Sequence, residues 1–244
     1  MTQNTKKTLI IGHRGVAGLA PENTLLSVKK ALECKVDMIE IDVHCHEKQI
    51  LVIHDETLDR TTNGKGSLYE RSFLELRKLD AGNGEKIPTL EEVIETVNKR
   101  VVLQIELKGG GTAISVARCI RKYIGKGWRY EDFLISSFNH REIKKVRELN
   151  SKIRIAPLIV GLPVDSAEFA AKLNAYSAHL SREFVDREFV ADAHSKGIKV
   201  FVFTVNNSEE LKRLQILGID GVFSDRPDLL GYKVNPYATA DFPT

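Results

Sequence analysis

The chain has 244 residues, 42% of them hydrophobic, and its 36 lysines and arginines nearly balance 33 aspartates and glutamates. This composition excludes a disordered chain and a disulfide-dependent mini-protein, and a net charge of +3 does not indicate nucleic acid or an anionic membrane as a partner. No apolar run approaches the ~18 residues that span a bilayer, and MTQNTKKTLIIG lacks the ~7–15 apolar residues of a secretory signal. Three cysteines without a CxxC pair are typical of a reducing compartment, so we expect a cytoplasmic protein without stable membrane association.

Eight short aliphatic runs alternate along the chain with stretches of helical spacing. The runs cover Leu9–Gly12, Met38–Val43, Val101–Leu107, Phe133–Ser136, Ile153–Ile159, Ser177–Leu180, Ile198–Val205 and Gly221–Ser224. Buried parallel strands are rich in aliphatic residues because helices cover their outer faces. Eight strand–helix repeats predict an α/β fold of the (β/α)8 class, the TIM barrel. A doubly wound open sheet has the same alternation, but the number of runs and the absence of GxGxxG after the first run favour the barrel.

Capping residues mark helix boundaries in several of the stretches between these runs. Thr89 precedes a helical pattern that carries acidic residues in its first turn, where they favour the helix dipole. Asn139, and either Asn207 or Ser208, stand at the same position before two later helical patterns. Gly218 follows the last of these patterns as a helix-terminating glycine.

The stretch between Val43 and Thr89 interrupts this alternation. It contains a short strand, Ile50–His54, followed by a polar segment with turn signals. We expect residues 55–88 to form a small insertion after strand 2, over one end of the barrel, packed on a core of its own made by Leu68, Phe73, Leu74, Leu76 and Leu79. Residues 1–244 would then form a single domain with a surface tail at about residues 233–244.

Charged residues lie within and directly after two of the predicted strands. Glu40 and Asp42 stand two residues apart, as do Glu106 and Lys108, so each pair leaves the same face of its strand. In a (β/α)8 barrel the active site lies at the carboxyl ends of the strands, where these side chains could converge. Three neighbouring carboxylates repel one another, and a divalent cation with oxygen ligands, Mg²⁺ or Ca²⁺, relieves that repulsion. The alternative is a structural network in which the carboxylates pair with Arg14 and Lys108.

Two histidines are candidates for proton transfer. His13 and His54 each end an aliphatic run within a polar motif, and imidazole is the side chain that titrates nearest neutral pH. His44 is in phase with Glu40 and Asp42 and could approach the same site. Its position is equally compatible with a polar residue at the rim of the barrel that points away from the site.

Several motifs follow one another in order along most of the chain. They are His13-Arg14-Gly15, Pro21-Glu22-Asn23-Thr24, Glu40-Ile41-Asp42-Val43, the segment from His54-Asp55 to Arg60-Thr61-Thr62-Asn63-Gly64, Ile105-Glu106-Leu107-Lys108, Ser136-Ser137-Phe138, Thr204-Val205-Asn206 and Ser224-Asp225-Arg226-Pro227. A single tetrapeptide of this set would be weak, but the ordered series is specific. From about Leu9 to Leu230 the chain resembles the glycerophosphodiester phosphodiesterase family, of the bacterial cytosolic type.

The resemblance implies a metal-dependent TIM barrel with a defined reaction. Such an enzyme hydrolyses glycerophosphodiesters, which are deacylated phospholipids such as glycerophosphocholine or glycerophosphoethanolamine, to sn-glycerol 3-phosphate and an alcohol. Its partner would be this small-molecule substrate, and its cofactor one divalent cation, Mg²⁺ or Ca²⁺. The segment after His54 would match the family insertion that caps the substrate pocket.

Site roles are also implied by the resemblance, position by position. The metal ligands would be Glu40, Asp42 and Glu106; the general acid and base would be His13 and His54; Arg14 and Lys108 would contact the phosphate. Phe203 stands where the family usually has tryptophan, and would line the glycerol side of the pocket with a different shape. His44 stands where the family often has a basic residue.

Two other functions are compatible with these residues. A relative acting on lysophospholipids would need an apolar groove for the remaining acyl chain. A non-catalytic barrel that binds glycerol phosphates would be marked by loss of a histidine or of a metal carboxylate, and all of these are present. The sequence leaves open which histidine is the acid, and whether the nucleophile is water or the glycerol 2-hydroxyl.

Overall fold

Eight parallel strands close into a barrel in the computed structural model, which describes residues 7–231. The strands of the barrel are β1 (Leu9–Gly12), β2 (Met38–His46), β4 (Val102–Leu107), β5 (Phe133–Ser137), β6 (Arg154–Ile159), β7 (Ser177–Ser181), β8 (Lys199–Phe203) and β9 (Gly221–Ser224), and β3 (Gln49–Val52) pairs antiparallel with β2 outside it. The barrel closes because β1 pairs with both β2 and β9. The predicted TIM barrel is therefore confirmed, and each predicted run corresponds to one of its strands.

Helices separate the strands of the barrel, and most of them begin at a residue whose side chain caps the first turn. They are α1 (Leu25–Glu33), α2 (Phe73–Leu76), α3 (Leu90–Val97), α4 (Thr112–Ile124), α5 (His140–Leu149), α6 (Glu168–Lys172), α7 (Arg187–Ser195) and α8 (Ser208–Leu217), with short 3₁₀ turns at Leu68–Glu70, Tyr130–Asp132, Arg182–Phe184 and Pro227–Leu230. The side chains of Thr89, Asn139 and Asn207 accept hydrogen bonds from the first turns of their helices, as predicted. Gly218 ends α8 with a φ of 90°, a conformation that glycine adopts without strain. Within residues 7–231, no helix is both long and apolar enough to cross a membrane.

The alternation of side chains along β2 directs its acidic residues into the barrel. Ile39 and Ile41 pack in the layer between the strands and the helices, so Glu40 and Asp42 face the interior. The strand register places Asp42 opposite Glu106 on β4. A separate apolar cluster fills the interior and consists of Ile11, Met38, Leu134, Ala156, Phe201 and Phe223. The acidic residues of both strands thus share one part of the barrel interior, toward the carboxyl ends of β2 and β4.

The segment between β3 and α3 packs on a small apolar cluster of its own, which is formed by Leu51, Ile53, Leu58, Leu68, Leu76, Ala81 and Ile87, with Phe73 and Leu79 at its edge. The predicted burial of Leu68 and Leu76 is confirmed. The prediction for Leu74 is wrong, because α2 is a single turn whose Leu76 faces the cluster, which leaves Leu74 71% exposed. The tail predicted at about residues 233–244 lies outside the described residues.

The two leucines of α2 provide a matched pair for testing how this cluster stabilises the protein. We expect Leu76→Ala to lower the free energy of unfolding by about 2–5 kcal/mol, since it opens a cavity in a buried cluster. Leu74→Ala should change it by less than about 0.5 kcal/mol, since the side chain is in solvent. Urea unfolding of both variants measures the difference, and equal losses would show that the cluster does not contribute as described.

Candidate active site

Three carboxylates meet inside the barrel, at the carboxyl ends of two neighbouring strands. Glu40 and Asp42 on β2 and Glu106 on β4 each place an oxygen within 4.8 Å of the other two. All three side chains are buried, with at most 8% of a residue's surface exposed. The structure therefore brings together the three residues that the sequence suggested as metal ligands.

Burial and mutual repulsion make this cluster electrostatically unfavourable when it is fully ionised. Burial, together with the charges of Asp42 and Glu106, raises the pKa of Glu40 well above its ordinary value. Burial and Asp42 likewise raise the pKa of Glu106. One oxygen of Glu40, Oε2, accepts a hydrogen bond from the backbone N–H of Arg14 at 2.8 Å. The other, Oε1, is buried and has no hydrogen-bond partner among residues 7–231.

Two cations border the carboxylates without satisfying all of them. Lys108 Nζ lies 2.9 Å from Glu106 Oε1 and 3.9 Å from Asp42 Oδ1, and Arg14 Nε lies 3.5 Å from Asp42 Oδ2. These ion pairs are the structural network considered above, and they account for Asp42 and Glu106. They leave Oε1 of Glu40 unpaired beside two further carboxylates. A donor set made only of oxygens, with one buried acceptor unsatisfied, fits a hard divalent cation such as Mg²⁺ or Ca²⁺.

Asn23 orients Asp42, a role that the sequence motif did not reveal. Its Nδ2 donates to Asp42 Oδ2 at 2.9 Å, and its Oδ1 accepts from the backbone N–H of Asp42 at 3.1 Å. Asn23 is buried and has a φ of 57°, a left-handed conformation that asparagine tolerates better than most residues. Such hydrogen-bonded neighbours commonly fix the direction of a metal-binding carboxylate.

His13, at the end of β1, is held by a carboxylate from the last strand. Its Nδ1 lies 2.7 Å from Asp225 Oδ1, and the other oxygen of Asp225 accepts from Asn206 Nδ2 at 2.9 Å. Burial raises the pKa of Asp225, but the hydrogen bond and charge of His13, together with Asn206 and Arg14, outweigh it and hold that pKa below its ordinary value. Asp225 therefore stays ionised and orients the imidazole. Both Asn206 and Asp225 belong to motifs in the sequence that carried no assigned role.

His54 is held in the same way by the residue that follows it. Its Nδ1 lies 2.6 Å from Asp55 Oδ1, which places the ring proton on Nδ1 because a carboxylate can only accept. Its Nε2 then accepts a hydrogen bond from Lys108 Nζ at 3.1 Å. Burial lowers the pKa of His54, despite the opposing effects of Asp42 and Asp55, so the imidazole is neutral at neutral pH.

His44 supports the site from behind instead of lining it. Its Nε2 donates to the backbone carbonyl of His54 at 3.1 Å, and its Nδ1 accepts from the hydroxyl of Tyr69 at 3.0 Å. Burial lowers the pKa of His44. The neutral imidazole is therefore favoured, and it has one donor and one acceptor nitrogen, as these two hydrogen bonds require. Tyr69, which no sequence motif singled out, lies in the segment between β3 and α3 and thereby connects that segment to the histidine.

A cavity of about 140 Å³ opens between these groups and an apolar wall. Its polar lining consists of His13, Arg14, Glu40, His54, Glu106, Lys108 and Thr204, and its apolar lining of Phe138, Leu158, Phe203 and Phe223. The charged residues and His13 lie on or directly after β1, β2 and β4, which are neighbours in the barrel, and His54 follows β3, which pairs with β2. The apolar residues and Thr204 lie on or after strands of the remaining arc. Phe203 packs edge-on against Phe138 and Phe223, with ring centroids 5.8 and 6.3 Å away.

The apolar wall continues onto the protein surface. Phe138, which follows β5, is 46% exposed, and the loop after β6 carries Val160, Leu162 and Val164, of which Val164 is fully exposed. We call these four residues the apolar rim. They lie on loops that follow adjacent strands, at the same end of the barrel as the cavity.

Comparison with known proteins gives consistent results. A sequence model of the Glycerophosphoryl diester phosphodiesterase family matches residues 13–229. A glycerophosphodiester phosphodiesterase of Caldanaerobacter subterraneus subsp. tengcongensis is 36% identical over 238 residues, covering 92% of this chain and 96% of that protein. One of Bacillus subtilis is 32% identical over 249 residues, covering 91% and 85%. A solved Oleispira antarctica phosphodiesterase in complex with the product sn-glycerol-3-phosphate has a TM-score of 0.84 and 32% identity, covering 91% of this chain and 95% of that one.

The carboxylate cluster predicts that a divalent cation stabilises the protein more strongly as the pH rises. The pKa values of Glu40 and Glu106 are raised by folding, so without a cation the fold loses stability as the pH increases from their ordinary values through the raised ones. At low pH, protons compete with the cation for the same oxygens. Mg²⁺ or Ca²⁺ should therefore raise the unfolding temperature more at pH 8 than at pH 5, as measured by thermal unfolding against a chelator control.

Glu40→Gln tests the assignment of this effect to the cluster. The substitution should remove most of the rise in unfolding temperature that the cation causes. It should also stabilise the metal-free protein at pH 8, because it removes a buried charge. Glu91→Gln is the matched control, since Glu91 is an exposed partner of Lys122 outside the barrel. A cation-induced rise in Glu40→Gln equal to that of the wild type would exclude Glu40 from the ligand set.

Proposed function

The chain belongs to the glycerophosphodiester phosphodiesterase family, and we propose that it hydrolyses glycerophosphodiesters with one divalent cation held by Glu40, Asp42 and Glu106. The observation that supports this most strongly is that the three-carboxylate cluster lies beside one cavity, which Glu40 and Glu106 line together with two histidines that are each oriented by an aspartate. A non-catalytic binding barrel has no need of two such histidine–aspartate pairs. The proposed products are sn-glycerol 3-phosphate and an alcohol, and the Oleispira antarctica structure supports the first of these.

The substrate phosphate would lie between the carboxylate cluster and the two cations. When bound, the metal ion supplies Lewis-acid stabilisation of the charge that develops on the phosphate. Arg14 offers a planar guanidinium for phosphate oxygens, and Lys108 offers a point charge that already lies beside Glu106. Together these groups would orient a phosphodiester and offset its negative charge.

We assign the two proton transfers to the two histidines by their environment. His54 is neutral, and its Nε2 carries the lone pair that accepts from Lys108 Nζ in this structure. Once Lys108 turns to the substrate phosphate, that lone pair would take the proton of the nucleophile, which is water or the glycerol 2-hydroxyl. His13, oriented by the ionised Asp225, would then donate a proton to the leaving alcohol oxygen. Each such transfer is typically worth ~10²–10⁴-fold in rate.

The proposed site also has consequences for domain organisation and location. Its residues extend from His13 to Asp225, and Asp55 comes from the segment between β3 and α3, so we propose that the chain works as a single domain with an insertion at about residues 55–88. Glycerophosphocholine and glycerophosphoethanolamine are the proposed substrates. Cys34, Cys45 and Cys119 are free thiols, which supports the proposal of a cytoplasmic enzyme.

The function is tested by coupling release of glycerol 3-phosphate from glycerophosphocholine to a dehydrogenase. Turnover should stop with a chelator and return with Mg²⁺ or Ca²⁺. His13→Ala and His54→Ala should each lower kcat by at least ~10²-fold at an unchanged unfolding temperature, because each removes a proton transfer. His194→Gln is the control, since His194 lies on α7 outside the barrel. Near-normal turnover of either alanine variant would contradict its assigned role.

A second candidate function is favoured by the apolar rim. The cavity wall of Phe138 and Leu158 leads outward to the aliphatic side chains of the apolar rim, which are between 44% and fully exposed. An acyl chain attached to the glycerol could lie along these residues. We therefore propose lysophospholipids, with release of the head group, as a second substrate class.

Release of choline from two substrates separates these functions. The double variant Leu162→Ser and Val164→Ser should lower kcat/KM for lysophosphatidylcholine about tenfold or more, since each buried CH₂ contributes roughly 0.8 kcal/mol. Its kcat/KM for glycerophosphocholine, which has no acyl chain, should not change. Absence of turnover of lysophosphatidylcholine by the wild type, or equal loss with both substrates, would exclude the second candidate.

A further inference from the structure

Arg60 joins two carboxylates at the edge of the active site, and neither the sequence nor the site described above gave it a role. It lies in the segment between β3 and α3, five residues after Asp55. Its Nε donates to Asp55 Oδ2 at 2.6 Å, and its Nη1 and Nη2 donate to the two oxygens of Glu22 at 2.7 and 2.9 Å. The guanidinium is thus shared between two carboxylates that come from different parts of the fold.

Each of these carboxylates holds a residue of the proposed reaction. Asp55 uses its other oxygen, Oδ1, to bind His54 Nδ1 at 2.6 Å. Glu22 Oε1 accepts a hydrogen bond from Arg14 Nη1 at 2.8 Å, so Glu22 accepts hydrogen bonds from both Arg14 and Arg60. An unbroken series of charged hydrogen bonds therefore connects the imidazole of His54 to the guanidinium of Arg14, with Arg60 at its centre.

We propose that Arg60 is a positioning residue that fixes His54 and Arg14 in one mutual arrangement. This inference rests on the function proposed above, and deepens it by adding a residue that does not touch the substrate. Arg60 and Asp55 belong to the segment between β3 and α3, whereas Glu22 and Arg14 precede α1. Arg60 therefore also holds the segment between β3 and α3 in a fixed position relative to the residues that precede α1.

The chemistry of this position requires arginine. A guanidinium has donors in a rigid fork that can bind one carboxylate with two parallel bonds and a second carboxylate through Nε. The ammonium of lysine is a point charge, which could hold one of these carboxylates but lacks the planar fork that binds both. The hydrogen bond from Arg60 also holds the pKa of Asp55 below its ordinary value, so Asp55 remains an acceptor for His54.

The exposure of Arg60 separates a positioning role from a merely structural one. Its side chain is 47% exposed, and ion pairs in contact with solvent contribute little to the free energy of unfolding. Loss of Arg60 should therefore affect turnover much more than stability. A residue that only stabilised the fold would show the opposite pattern.

The test compares Arg60→Met and Arg60→Lys with Lys65→Met. Lys65 is a matched control because it lies in the same segment and pairs with the exposed Asp59, at 3.6 Å. Arg60→Met should lower kcat/KM for glycerophosphocholine about 10- to 100-fold, as expected for misplaced catalytic groups, and Arg60→Lys should lie between it and the wild type. The unfolding temperature of both variants, and the kcat/KM of Lys65→Met, should stay close to those of the wild type.

A double-mutant cycle shows whether Arg60 acts through Glu22. In a Glu22→Gln background, Arg60→Met should cost much less in kcat/KM than it does in the wild type, because one of its two targets has lost its charge. Multiplicative losses would show that Arg60 acts elsewhere and would overturn the proposal. If Arg60→Met does not fold, Arg60→Lys, which keeps the charge, replaces it in the same double-mutant cycle, and the same comparison of kcat/KM losses tests the proposal.

The outcomes also distinguish this inference from the function on which it rests. If wild-type protein and His54→Ala have the same activity, or the wild type has none, the proposed function fails. If the wild type is active and His54→Ala is not, but the Arg60 variants match Lys65→Met, only the role of Arg60 is wrong.

Discussion

Repulsion among three buried carboxylates is the constraint on which the rest of the site depends. Glu40, Asp42 and Glu106 share one part of the barrel interior because β2 and β4 are parallel neighbours. Every second side chain of a strand points to the same face, so all three carboxylates point inward. Each is partly compensated, by a backbone N–H, by Asn23 or by Lys108, and one oxygen of Glu40 is left over. Structural ion pairing and metal binding are therefore not exclusive alternatives here: the ion pairs orient the carboxylates, and the remaining acceptor is where a divalent cation fits.

The barrel divides into two arcs with different chemistry. Neighbouring strands β1, β2 and β4, with His54 after β3, provide the charged residues and the histidines, while the other arc provides three phenylalanines, Leu158 and Thr204. A glycerophosphodiester carries its negative charge on the central phosphate, so under the proposed function this division would place the phosphate against the charged arc. Phe203 belongs to the apolar arc, where its ring packs edge-on against both Phe138 and Phe223.

Much of the fold and part of the site could be predicted from local sequence patterns. The strands, the helix caps at Thr89, Asn139 and Asn207, and the pairing of Glu40 with Asp42 on one face all follow from short-range periodicity. The hydrogen-bond partners of the histidines could not be predicted, since Asp225 lies 212 residues from His13 and Tyr69 reaches His44 only through tertiary packing. Leu74 was misjudged because a single helical turn is too short for periodicity to decide which leucine faces inward.

The hydrogen bond between His13 and Asp225 also links activity to completion of the polypeptide during synthesis. It crosses the seam where β1 meets β9, since His13 directly follows the first strand of the barrel and Asp225 directly follows the last. A nascent chain emerges from its amino terminus and acquires this carboxylate only when nearly all of the barrel has been made. A truncated or unclosed chain that kept Glu40, Asp42 and Glu106 would therefore still lack the carboxylate that orients His13, and under the proposed function it would lack an oriented proton donor.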